Sequence, residues 1–181
     1  AGARYQGSVR AAVLTYKEHG HLALATPLGR LLAAALTAGL GTAQGGPAPA
    51  LAGALLVPVP STRSATRTRG QDHALRLARR AAAMTGLSTA AALRWTRPVQ
   101  DQSALSVLNR RLNVAGAMAA RPPSVAGSPA LLVDDVMTTG ATLDEAHRAL
   151  AVAGYRVVRV CVIAAVETQR ASRPAPPPPI A

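Results

Sequence analysis

Two adjacent carboxylates carry the most chemistry in this chain. Asp134 and Asp135 end an apolar run, Leu131-Leu132-Val133, and Val136 and Met137 separate them from Thr138-Thr139-Gly140-Ala141-Thr142. A buried strand that delivers two acids to its carboxyl end puts them where ligands bind in open α/β sheets. The pair loses solvation there unless it meets cations or hydroxyl donors. The threonine hydroxyls and the backbone N–H groups around a glycine at a helix start form a cradle for phosphate. An acid pair followed by an anion nest suits a ligand with hydroxyls at one end and phosphate at the other. A sugar phosphate fits.

Two other arrangements use the same residues. The run before Asp134 is also like the Mg²⁺-binding strand of P-loop ATPases, but the chain has no G-x-x-x-x-G-K-[ST], and Lys17 lies in a helical stretch without glycine-rich context. In a plain strand-to-helix turn, Thr138 or Thr139 would cap the helix and the acids would be merely solvated. A cap needs one such side chain, whereas this loop supplies a series of them.

The elements that must position these residues follow from the apolar pattern. Positions 8–37 recur near a helical period, divided at Gly20 and Pro27, and 39–53 is a loop rich in Gly, Ala and Pro. Residues 54–57 form a short apolar run ended by Pro58-Val59-Pro60, as expected of a parallel strand buried on both faces. Residues 71–84 read as a helix with Leu75, Ala78 and Ala82 on one side and Arg76, Arg79 and Arg80 on the other. A weak strand at 90–94 leads into a polar stretch, 95–113, and a short apolar piece at 114–118. The strand at 130–133, the helix at 141–153 and the strand at 155–166 make a βαβ unit with a right-handed crossover. The expected fold class is therefore α/β, a mostly parallel sheet flanked by helices. Residues 1–169 are expected to form a single domain, with 170–181 a disordered Pro-rich tail.

Composition bounds the remaining classes. At 181 residues, 49% hydrophobic and 15% charged, the chain can bury a core and does not have the makeup of a disordered protein. Alanine supplies 41 residues, and Lys17 is the only lysine, so compositional bias weakens any argument from residue preference alone. The formal charge of +12 favours anionic partners without separating nucleotides from nucleic acid. No apolar stretch approaches the roughly 20 residues that span a bilayer, so membrane insertion is not expected. The start, Ala-Gly-Ala-Arg-Tyr-Gln-Gly, has neither a signal core nor an initiator Met, and the expectation is a processed or truncated chain in the cytoplasm. Cys161, alone in an apolar run, reads as a buried structural thiol in a reducing compartment. His19 and His21 lack partners at metal-ligand spacing, and His73 reads as a surface or helix-start histidine rather than a base.

The pattern of apolar run, Asp-Asp, two residues, Thr-Thr-Gly-x-Thr resembles the phosphoribosyl pyrophosphate (PRPP) signature of type I phosphoribosyltransferases. The resemblance narrows to the ComF family, associated with bacterial competence for DNA uptake. Tyr5-x-Gly7-x-Val9-Arg10 with Lys17 is similar to its first block. Val57-Pro58-Val59-Pro60 with Arg69-Gly70 and Leu77-Ala78 is similar to its second, and Gln102-x-x-Leu105-Ser106-x-x-x-Arg110-x-x-Asn113-Val114 to its third. The family's four-cysteine zinc ribbon has no counterpart in this sequence, and Gln71-Asp72-His73 stands where the family continues Phe-Asn-Gln.

The resemblance implies a type I phosphoribosyltransferase fold and Mg²⁺-dependent transfer of 5-phosphoribosyl from PRPP to an acceptor it does not identify. It implies that Asp134 and Asp135 address the ribose hydroxyls and that Thr138, Thr139, Gly140, Ala141 and Thr142 hold the 5′-phosphate. Thr138 replaces the third acid of purine-type members, which points away from purine salvage. By position, Arg63, Arg67 and Arg69 are candidates for the leaving pyrophosphate, because a guanidinium donates two hydrogen bonds to one phosphate. Residues 97–113 correspond to the family's mobile loop, with Arg97, Gln102, Arg110 and Asn113 as lid contacts. Mg²⁺ would be held mainly by ligand oxygens rather than directly by protein. From a different class, the chain could be a non-catalytic PRPP-fold module that acts on DNA through its arginines. Against a stacking platform for single strands stand its few aromatics, Trp95 and three Tyr. The oligomeric state is not legible.

Overall fold

The computed structural model describes residues 1–38, 51, 53–62, 65–66, 70, 72–100 and 106–166. The helical period of the N-terminal stretch is realised as α1 (Gly7–Glu18) and α2 (Ala25–Thr37), joined through a 3-10 turn at Leu22–Leu24. Pro27 does not divide the stretch. It sits in the first turn of α2, where a missing N–H leaves no helical bond unmade.

Along the chain the remaining elements are β1 (Ala3–Arg4), β2 (Leu55–Pro58), α3 (His73–Thr85), β3 (Ser88–Thr89), β4 (Leu93–Trp95), α4 (Val107–Val114), β5 (Met118–Ala120), β6 (Pro129–Met137), α5 (Ala141–Val152) and β7 (Arg156–Ala165). Five strands form one sheet in the order β1-β7-β6-β2-β3, every neighbour parallel. The α/β fold class with a mostly parallel sheet flanked by helices is what the structure shows. β4 and β5 pair antiparallel in a separate ribbon, from Leu93 opposite Ala120 to Trp95 opposite Met118.

Strand alternation divides the core in two. Leu56, Leu131, Val133, Cys161 and Ile163 face Tyr16, Leu28, Leu32, Leu36 and Leu77 of the first three helices. Val57, Leu132 and Val162 face Trp95, Met118, Leu143 and Leu150 on the other side. Burial on both faces explains why these strands read as unbroken apolar runs rather than alternating ones. On the first side α2 crosses α3 closely: a Cβ on Gly29 would lie 2.6 Å from the Cβ of Arg80, so only glycine lets the backbone come this near.

Several boundaries differ from expectation. The weak strand at 90–94 resolves into β3 and β4, and the polar stretch after it contains α4, whose N-terminus is capped by Ser106 accepting the Asn109 N–H at 3.3 Å. Leu77, not Leu75, fills the inward face of α3. His73 does begin α3 but is 1% exposed rather than at the surface, its ring edge-on to Tyr16 with centroids 4.7 Å apart. Most of the 39–53 loop and all of the 170–181 tail lie outside the described residues. Among the described residues, no helix is long and apolar enough to cross a membrane.

Candidate functional site

The centre of the sheet is where its connections diverge. β2 leads through α3 to β3 on one side, and β6 leads through α5 to β7 on the other. Ligand crevices in open α/β sheets form at such a point. β2 and β6 stay in register from Leu55 opposite Ala130 to Pro58 opposite Val133, and the Val59 N–H closes the ladder on the Val133 carbonyl at 2.9 Å. Beyond it the chain leaves β2, while β6 continues against β7 as far as Met137 opposite Ala165. The expected strand end at Val133 is thus the end of one ladder only, and the acid pair lies inside β6 where its β2 side opens.

The two acids are held differently. Asp135 is 6% exposed and lies on the α1 side, where Lys17 Nζ approaches its Oδ2 at 2.6 Å. Its Oδ1 accepts the Val136 N–H at 2.6 Å, and Asp134 Oδ1 accepts the Asp135 N–H at 2.8 Å. Burial first, and then the neighbouring Asp135 charge, push the Asp134 carboxyl up to about 8, against the opposing pull of Lys17.

The nest follows directly. Asp134, Val136, Thr138, Thr139, Gly140, Ala141, Thr142 and Leu143 surround a small hollow of about 30 Å³. Gly140 precedes α5 at φ 80°, a left-handed conformation that a side chain would strain, and this bend lets Thr139 Oγ1 accept the Ala141 N–H at 3.4 Å. The Thr-Gly segment therefore wraps a helix N-terminus, as a phosphate cradle requires.

A larger cleft of about 240 Å³ adjoins it, sharing Asp134, Val136 and Thr142 and walled by Lys17, Pro60, Ser61, Thr62 and Trp95. Ser61 is fixed from α3: Asp72 accepts its N–H and its hydroxyl, each at 3.3 Å, while capping the helix through the Leu75 N–H at 3.1 Å. Trp95 Nε1 donates to the Pro60 carbonyl at 2.9 Å, so the β4–β5 ribbon braces the same loop. Lys17, Ser61, Thr62, Asp72 and Trp95 are not among the sequence-predicted site residues. Asp72 carried a local signal, an N-cap type before a helical period. Lys17 stood in the first block of the family resemblance without a site role, and Trp95 carried no signal except its rarity.

The structure brings Asp134, Asp135 and the segment from Thr138 to Thr142 together. Arg63, Arg67, Arg69 and Gln102 lie outside the described residues. Arg97, Arg110 and Asn113 do not line the cleft. Arg97 donates to the Ala115 carbonyl at 3.0 Å, and Asn113 exchanges two hydrogen bonds with the backbone of Gln100, at 3.0 and 2.9 Å. These bonds join the segment after β4 to the far end of α4. Among the described residues, no three His, Cys, Asp or Glu side chains converge as a metal cage.

No curated protein matches the chain. Among solved structures it is similar to one described as the structure of the allosteric regulatory enzyme of purine biosynthesis, at 19% identity and a TM-score of 0.48. That similarity covers 77% of this chain and 26% of the other, so the chain spans about a quarter of that protein's length. The model of the phosphoribosyl transferase domain matches residues 76–177, more than half of the sequence and inclusive of the acid pair and the nest. The chain belongs to the phosphoribosyl transferase domain family.

Proposed function

We propose that this chain, as a domain over residues 1–169, transfers a 5-phosphoribosyl group from PRPP to an acceptor. The C1–oxygen bond to pyrophosphate breaks, a bond from C1 to the acceptor forms, pyrophosphate leaves with the electron pair, and the acceptor gives up a proton. The observation that carries the reading is the continuity of the acid pair with the Thr-Gly nest at the switch point, Asp134 and Thr142 lining both hollows. Asp134 and Asp135 would orient the ribose hydroxyls, and Thr138, Thr139, Gly140, Ala141 and Thr142 would fix the 5′-phosphate. Arg63, Arg67 and Arg69 are proposed for the pyrophosphate, and Arg97, Gln102, Arg110 and Asn113 for the lid. The oxygen-rich cleft suits Mg²⁺ carried in on the ligand's own oxygens, where it would offset charge on the leaving pyrophosphate. The finer reading is a ComF-like enzyme of a reducing cytoplasm, linked to DNA uptake, and its motif blocks support it.

The test is a thermal melt with PRPP and Mg²⁺ followed by a screen of nucleobases and small amines for pyrophosphate release. PRPP with Mg²⁺ raises the melting temperature, because a ligand bound only by the native state stabilises it. Asp134→Asn combined with Asp135→Asn removes that rise while the protein stays folded. An unmoved melt at millimolar PRPP counts against the reading. A second reading, the non-catalytic module acting on DNA, draws on Arg76, Arg79 and Arg80, which line a groove of about 380 Å³ on α3. DNA binding that PRPP competes away, without pyrophosphate release for any acceptor, would favour it. In that case each arginine replaced lowers the salt dependence by about one unit.

A further inference from the structure

Lys17 has no role in the account above. It is the only lysine among the 20 basic residues, placed in the last turn of α1. Its side chain is 31% exposed, and its ammonium lies against Asp135 Oδ2 in the wall of the cleft. Among the described residues that line the cleft, no other is basic. A compact ammonium acts on a single carboxylate oxygen as a point charge, where a guanidinium fork would engage both. The second oxygen of Asp135 is already taken up by the Val136 N–H. Asp135 is thereby fixed at both oxygens, from helix and from strand, with lone pairs left to accept hydroxyls.

We propose that Lys17 is a positioning residue for the hydroxyl end of the ligand: it pins Asp135 Oδ2, so that the carboxylate meets the vicinal hydroxyls of a phosphoribosyl group in a set orientation, and α1 becomes a wall of the site. The inference rests on the phosphoribosyl reading above. The charge arrangement supports it. Adjacent carboxylates repel each other, and one cation beside them lowers the cost of keeping acceptor oxygens in a cleft. The titratable and charged groups around the pair are Lys17 and Tyr16 on α1 and Asp72 at the start of α3, with His73, Arg76 and Arg80 of α3 facing Tyr16.

Calorimetric titration of the whole chain with PRPP and Mg²⁺, at about pH 6.5 and about pH 8.5, compares the wild type with Lys17→Met and Lys17→Arg. Lys17→Met weakens binding at least about tenfold at the lower pH and less at the higher, because without the ammonium Asp134 keeps its proton longer. Lys17→Arg restores affinity to within about threefold of wild type, charge being kept and geometry altered. A loss of packing alone would weaken binding equally at both pH values. Circular dichroism establishes that each variant is folded, and Lys17→Gln replaces Lys17→Met where the apolar side chain disturbs α1. Without ligand, ¹³C titration of the Asp134 carboxyl shows a midpoint moved upward in the variant. Wild-type binding that Lys17→Met matches at both pH values, or an Asp134 midpoint left unmoved, overturns the proposal alone. A wild type that does not bind PRPP overturns the phosphoribosyl reading, and the proposal with it.

Discussion

Glu145 and Asp134 are acids on neighbouring elements of one strand-loop-helix unit, yet their surroundings push them in opposite directions. Glu145, on α5, is 5% exposed and has its oxygens filled. Oε1 accepts the Met118 N–H at 2.8 Å and Arg148 Nη2 at 2.7 Å, while Oε2 accepts the Gly116 N–H at 3.0 Å and Arg148 Nε at 2.8 Å. Burial works to raise its pKa, but the bonds from Arg148, Met118 and Gly116 outweigh burial and hold it below the ordinary carboxylate value. Asp134 accepts one backbone N–H and sits beside a like charge, and it is pushed up. Burial pushes both carboxyls upward, and what separates them is whether donors outweigh it. Four donors do so at Glu145, and one does not at Asp134. A carboxylate saturated by its own protein has nothing left for a ligand, whereas one left short of donors at a cleft has capacity to spare.

Removing the saturated acid should cost the most. Glu145→Ala leaves the Gly116 and Met118 N–H groups without their acceptor and cuts the β5 ribbon from α5. The expected loss in urea unfolding is about 3 kcal/mol, near the low end for a broken buried ion pair because Arg148, 46% exposed, regains water. The sign with pH follows from the lowered pKa: this contribution is present above the unfolded value of 4.5 and is lost as pH falls through the folded value. A loss under about 1 kcal/mol would mean that other contacts hold the ribbon and that saturation is incidental.

Asp134 should respond with the opposite sign. Its folded pKa, about 8, lies above the ordinary aspartate value of 3.8, so the folded state keeps a proton that the unfolded chain has released. Stability from this group is full below about 3.8 and is lost as pH rises toward 8. Asp134→Asn should flatten that slope and make the free protein more stable at about pH 8 by at least ~1 kcal/mol, one pKa unit being worth about 1.4 kcal/mol. The same change should weaken PRPP binding about tenfold or more, since the amide replaces an acceptor oxygen. Melting curves across pH, paired with titration of PRPP, check both halves. A variant destabilised at every pH would show that Asp134 is structural like Glu145.

This contrast was half legible in the sequence. Asp134, Asp135 and the Thr-Gly segment announce themselves because strand, acids and nest are contiguous, and local spacing encodes their geometry. Glu145 reads as one more charge on an amphipathic helix. What makes it special are Gly116 and Met118, far along the chain, and only the packing of the ribbon against α5 brings them in. The contacts of Lys17 and Trp95 were hidden for the same reason: α1 reaches Asp135, and β4 reaches Pro60, only once the sheet has formed. The strands were readable where burial on both faces produced unbroken apolar runs. β1 and β3, two residues each, are too short to show any period and depend on ladders offered by β7 and β2.

Asp72 lies between the two extremes and should give the smallest effect. It accepts three hydrogen bonds, as a saturated acid does, but at 3.1 to 3.3 Å, longer than those around Glu145. Two come from Ser61 in the cleft wall and one from the first turn of α3. Asp72→Ala should therefore cost about 1 kcal/mol, the usual value of a lost N-cap, read as a lowered urea midpoint at unchanged slope. Asp72→Asn keeps the side-chain oxygen and should recover most of that loss, since Asn caps about as well as Asp. The loop is the sharper readout. With Ser61 released, the 59–62 segment loses its tie to α3 and keeps the Trp95 bond to Pro60, so PRPP affinity in Asp72→Ala should fall by a few fold without vanishing. If affinity holds while stability falls, Asp72 is a helix cap and nothing more, and the loop is positioned by Trp95 and the end of β2. If affinity falls as far as in Asp134→Asn, the donor count does not separate structural acids from ligand-facing ones, and the comparison fails at its middle term.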